Sequence, residues 1–298
     1  MKKILRVVLF LILVLTPLTL STMVRCDYQV LVGQTFTYDI LDAKVEIVYE
    51  GSTGSGNGYM LGSTPIGSNT QCLVNVTGVD PATHVNWTVS SGGVTELGQS
   101  SEADLFAFGF LMVYCLPLYE ILGEMTVGDA LTFISLGTGL ILLPFWDTYY
   151  MYTDFNGFAS DNFISSFKEA GPYDEVTMDG DFKVISNNAV FEWFLGGAIL
   201  LETLNTKMDV QVNHQLRTVY STSTGVLQGV KMDSHVKGTS NDKELELWVS
   251  YLAEIVGFDM DSYTFTPVEF TPGFEWFIAI GALSLVTIPI IIYKKRNK

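Results

Sequence analysis

The residues of this chain whose types and spacing could do chemistry are few: three histidines, three cysteines and two short aspartate pairs. His84, His214 and His235 lie far apart in sequence, each inside an alternating apolar-polar stretch, and read as structural histidines. No H-E-x-x-H, C-x-x-C, G-x-S-x-G or Walker spacing occurs. Asp179 and Asp181 flank a glycine, and Asp259 and Asp261 flank a methionine. Carboxylates at that spacing can contribute oxygens to calcium, although neither pair continues into an EF-hand loop. Calcium is the one cofactor they would suit. The many other carboxylates could supply an acid pair for glycoside hydrolysis, but no spacing singles one out. No catalytic residue is expected.

The remaining signals concern compartment. Cys72 and Cys115 could close a disulfide loop or remain two buried thiols, with Cys26 left over or removed with the leader. Asn75-Val76-Thr77 and Asn86-Trp87-Thr88 are N-glycosylation acceptors, which have meaning only outside the cell. Residues 27–271 carry 31 acidic against 8 basic side chains, a net charge of −23. A field of that sign repels nucleic acid and anionic headgroups and suits a solvated outer surface.

Both ends agree with export. Lys2, Lys3 and Arg6 precede an apolar run over 7–20 and then Ser21 and Thr22, the order of a secretory signal peptide. Cleavage after Ser21 or after Cys26 would fit, so residues 1–26 are assigned to the signal. At the other end Pro272-Gly273-Phe274 precedes an uncharged run from Trp276 to Tyr293, then Lys294, Lys295, Arg296 and Lys298. Eighteen residues of helix span roughly 27 Å, enough for the hydrocarbon core of a bilayer. Aromatic residues at its ends and a basic tail orient that tail to the cytoplasm. Residues 272–298 are therefore the membrane segment, and 27–271 the extracellular domain.

This ending resembles the PGF-type C-terminal sorting signal of archaeal surface proteins. The resemblance implies an archaeosortase-like processing enzyme that removes the helix and passes the protein to a lipid. The alternative is a permanent single-pass anchor. A second likeness is looser. Val32-Gly33-Gln34-Thr35-Phe36-Thr37-Tyr38, the run from Tyr220 to Gln228, and Glu244-Leu245-Glu246-Leu247 resemble archaeal choice-of-anchor surface domains, known especially from Asgard-type archaea. That implies a surface address and no activity.

The elements that must position these residues read as mostly β. Residues 208–220, 226–237 and 244–252 alternate apolar and polar side chains and are joined by Gly-, Ser-, Thr- and Asn-rich turns. Period two bounded by turns predicts three consecutive antiparallel strands. Residues 35–40 and 44–49 read as two strands, 72–77 and 84–90 as a hairpin, and 51–68 as a glycine- and serine-rich loop. Residues 105–122 and 130–146 are strongly apolar. Gly137, Gly139 and Pro144 interrupt the second run and no basic loop orients it, so it reads as buried core. A short helix is expected over 161–170, capped by Ser160 or Asp161.

The fold class expected is α+β, mostly β: a curved antiparallel meander with a few helices and an apolar middle segment, besides the signal peptide and one C-terminal transmembrane helix. The function expected is a non-catalytic, surface-anchored binding protein. Two alternatives stand beside it. A half-barrel could carry an apolar, lipid-like ligand, by fold analogy alone, or the domain could be a membrane-anchored hydrolase.

Overall fold

The computed structural model describes residues 27–263 apart from 58, 62, 63, 102, 114–142, 171, 172, 174 and 203–206. The signal region, Cys115, most of the apolar run 130–146, and Pro272, Gly273 and Phe274 with the span after them lie outside the described residues. Among the described residues no helix is long and apolar enough to cross a membrane.

Twelve strands are described: β1 (Thr35–Tyr49), β2 (Ser52–Gly56), β3 (Tyr59–Leu61), β4 (Thr64–Ile66), β5 (Thr70–Asp80), β6 (His84–Ser91), β7 (Val94–Ser101), β8 (Glu175–Ile185), β9 (Asn188–Glu202), β10 (Lys207–Ser221), β11 (Leu227–Ser240) and β12 (Lys243–Ile255). The α-helices among the described residues are α1 (Ala103–Met112), α2 (Met151–Phe158) and α3 (Asp161–Ala170). The main sheet runs β7-β6-β5-β1-β12-β11-β10-β9-β8, every neighbour antiparallel, with β2 added beside β1. β3 and β4 form a separate two-stranded ladder.

The meander expected over 208–252 is β10-β11-β12. Val210, Val212, Leu216, Val230, Met232, Val236, Leu245, Leu247 and Val249 all lie buried. The two strands expected at 35–40 and 44–49 are one. The pairing of β1 with β12 shifts register between Ile40 and Asp42. Tyr38 and Ile40 are buried before the shift, Ala43, Val45, Ile47 and Tyr49 after it, and Leu41 is exposed between them. An extra residue changes the inward phase from even to odd without ending the strand. The expected loop over 51–68 is a correction: it contains β2, β3 and β4. β2 is held by ladder pairing to β1 from Val45↔Gly56 to Tyr49↔Ser52, which requires no apolar side chains of its own.

The inner face of the sheet is packed with rings. Phe108 of α1 lies 5.1 Å from Trp146, 5.5 Å from both Phe155 and Phe158 of α2, and 5.3 Å from Phe191 of β9. Phe163 and Phe167 of α3 reach Trp193 at 6.4 and 6.1 Å. Three of the buried rings satisfy their polar ends on backbone carbonyls. Trp193 donates to the Met112 carbonyl (2.9 Å), Tyr220 to that of Leu143 (3.0 Å) and Tyr38 to that of Leu227 (2.9 Å). Leu143, Phe145 and Trp146 are buried, as expected for the end of the apolar run. Ser160 caps α3, its Oγ accepting from Phe163 N–H at 3.2 Å.

Candidate functional site: a groove on the outer sheet face

Period two sends one set of side chains from β1, β12, β11 and β10 to the outer face, and register sorts them into rows. One row is Glu46, Trp248, His235 and Asn213; the next is Lys44, Ser250, Asp233 and Gln215. These two rows line a groove of about 420 Å³. The β1 bulge is what brings Lys44 and Glu46 to it, because an unbroken strand would turn them inward.

Trp248 is the unusual member. It occupies the polar phase of β12, between Glu246 and Ser250, and remains 36% exposed. His235 lies parallel to it, ring centroids 5.0 Å apart at 8°. His235 Nε2 is 2.9 Å from Glu246 Oε1, and Lys237 Nζ reaches Glu246 Oε2 at 3.2 Å. Desolvation pushes the Glu246 carboxyl up, but the hydrogen bonds and charge of His235 and Lys237 outweigh it and hold the carboxyl below its ordinary value. The platform is thus braced from one side by a stacked ring that is itself braced.

At the other end of the groove Ser250 Oγ donates to Asp42 Oδ2 at 2.5 Å, and Ser68 Oγ to Asp42 Oδ1 at 3.3 Å. Lys44 is 4.0 Å from the same carboxylate. Desolvation pushes the Asp233 carboxyl above its usual range; Lys231 pulls it down and Asp42 pushes it up again. The groove therefore offers one broad apolar ring, two amides, a lysine and carboxylates within a small area.

The histidines are not brought together. His84 sits on β6 with Nδ1 2.7 Å from Thr83 Oγ1. His214 is buried on the inner face of β10 against Ser234, and His235 is on the outer face of β11. The aspartate pairs serve local roles. A Cβ at Gly180 would stand 2.9 Å from Ala159 Cα, so the glycine between Asp179 and Asp181 admits the α2–α3 junction. Both aspartates are exposed, and Asp181 pairs with Lys183 at 3.3 Å. Asp259 Oδ1 accepts from Asp261 N–H at 3.0 Å, closing a short turn that drives Met260 against Gly229. Asp261 reaches Lys231 at 3.6 Å. Among the described residues no three His, Cys, Asp or Glu side chains converge as metal ligands would.

Asn75 and Asn86 stand on neighbouring strands, with Asn75 opposite Thr88 of the second acceptor. Asn86 Oδ1 accepts from Gln99 at 3.0 Å, and Asn75 Oδ1 from Thr35 at 3.4 Å. Cys72 is buried on β5. The groove itself is what sequence reasoning missed. Its one available signal was a tryptophan in the solvent phase of an otherwise alternating strand. In comparisons with known proteins, the chain matches no family model, no curated protein and no solved structure.

Proposed function

We propose that this chain is a non-catalytic binding protein displayed on the outer cell surface. Residues 1–26 export it, residues 27–271 face the exterior, and residues 272–298 hold it to the membrane. A helix that stays in place, or a lipid attached by an archaeosortase-like enzyme, would serve the last role. The observation that carries the binding reading is the division of labour between the two sheet faces. The inner face is occupied by the protein's own rings, whereas the outer face presents the braced Trp248 among convergent polar groups. An aromatic surface with a few placed polar groups is the common form of a ligand site. The same division weakens the apolar-carrier reading, which needs the inner face for its ligand. The −23 charge of residues 27–271 argues against nucleic acid as the partner.

Protease added to intact cells should digest residues 27–271, and protection of that region would reverse the topology. Mass spectrometry of the mature protein separates the two anchors. Absence of every peptide from 279–298 supports sorting, and an intact C-terminus in the membrane fraction leaves the permanent helix.

A further inference from the structure

The chemistry of the groove narrows its ligand, and the inference rests on the binding reading above. We infer that the groove takes a neutral saccharide, packed against the exposed part of Trp248 that His235 leaves uncovered and hydrogen-bonded by Asn213, Gln215, Glu46 and Asp233.

Four observations lead there. First, the groove is cut into the middle of the sheet. β12, β11 and β10 are paired on both sides, and β1 is paired to β12 and β2 where Glu46 stands. Their backbone groups are spent on ladders, so a peptide cannot add as a strand and recognition falls to side chains. Second, the side chains offer donors and acceptors together. The two amides each supply both, the carboxylates accept, and Lys44 donates. A ligand rich in hydroxyls, each donor and acceptor at once, matches such a set. Third, charges of both signs line the groove within a strongly acidic domain, which disfavours an anionic ligand and gives a simple cation no unopposed partner. Fourth, His235 covers one face of Trp248, and the part of the indole left exposed gives the C–H groups of a sugar ring an apolar surface. His235, fixed by Glu246, is a positioning residue that holds the indole upright before the ligand arrives. Binding then costs little ordering of the platform.

The test is titration of the full-length protein in nanodiscs with soluble neutral oligosaccharides built from glucose, mannose, galactose or N-acetylglucosamine. Calorimetry reads binding and chromatography reads product. Saturable binding to at least one class is expected, weakened at least about ten-fold by Trp248→Ala, comparable to losing one stacked ring elsewhere. Trp248→Tyr keeps a flat ring and should retain most of the affinity, so a misfolded alanine variant does not stand alone. Gln215→Ala should weaken binding several-fold with an unchanged Tm. Absence of saturable binding to every class overturns the inference, as does full affinity in Trp248→Ala or binding of tetramethylammonium in place of sugar. Binding followed by cleavage supports the saccharide site and overturns the non-catalytic reading.

Discussion

Arg217 lies wholly buried against Glu192, its cross-strand partner between β10 and β9. Both belong to the outer face, two residues along each strand from the groove row of Gln215 and Phe194. Farther along that face Phe258 and Tyr263 pack over Val190, Val219 and Met260. Lys183 approaches the other oxygen of Glu192 at 3.6 Å.

A buried guanidinium is tolerable only while its carboxylate is present. Glu192→Gln should cost about 3 kcal/mol, because it removes the carboxylate that faces a buried charge. Arg217→Met combined with Glu192→Leu replaces the whole pair by apolar chains of similar reach, so the double variant should be nearly neutral or stabilising. Urea unfolding of both variants checks this. Equal losses would mean that the pair contributes attraction and not merely mutual compensation.

His214 makes stability depend on pH. Burial holds its ring well below the usual histidine range, at about 4, with a hydrogen bond to the Leu111 backbone offsetting part of the effect. The folded value is lowered, so above pH 6.5 neither state is protonated and the full stability is present. As pH falls from 6.5 to 4 the unfolded chain takes up a proton that the folded chain refuses. Stability therefore declines, by roughly 3 kcal/mol at pH 4. His214→Gln cannot titrate. Its unfolding free energy should lose less across that window than the wild type, and parallel curves would remove His214 as the cause.

The inward phase of β10 is testable by two adjacent residues. Val212 is buried in the apolar layer, and Gln211 is exposed on the opposite face. Val212→Asp should destabilise the fold by several kcal/mol, since it buries a charge without a partner. Gln211→Asp should stay within about 0.5 kcal/mol. Chemical denaturation of the two variants would expose a wrong register if their costs were the same.

What was legible in the sequence follows from this periodicity. Over most of their length β10, β11 and β12 have one dry and one wet face, and alternation reports that directly. β9 does not alternate in the same way. Val190 and Phe194 are buried on the outer face, while Phe191, Trp193 and Leu195 are buried on the inner one, so the strand reads as an unbroken apolar run. β2 is a glycine- and serine-rich strand held by backbone pairing, which leaves no mark in side-chain type. The groove was legible one residue at a time only. Glu46, Trp248, His235 and Asn213 are scattered over about 200 residues, and register alone sets them in a row.

The attachment of the middle segment to the sheet turns on Gly225. It sits at φ +70° in the turn between β10 and β11, a conformation that glycine adopts without strain. Its carbonyl accepts from Trp146 N–H at 2.7 Å, and a bridge joins Phe145 to Val226 next to it. These contacts hold the indole of Trp146 over Phe155 and Tyr220, at 4.9 and 5.6 Å. A Cβ at Gly225 would stand 2.0 Å from the Trp146 carbonyl oxygen, which is backbone and cannot rotate away. Gly225→Ala thus combines a positive φ with a backbone clash, and strain of the first kind alone costs on the order of 1–3 kcal/mol. The loss should exceed that range if Trp146 is also displaced from its ring cluster. Gly33, also at positive φ but with open space around it, provides the control, since Gly33→Ala suffers the strain without the clash. Thermal unfolding should therefore show a distinctly lower Tm for Gly225→Ala than for Gly33→Ala. Near-ultraviolet circular dichroism should change only in the former, where the tryptophan environment is disturbed. Equal Tm values would mean that residues 143–146 are held by something other than this turn.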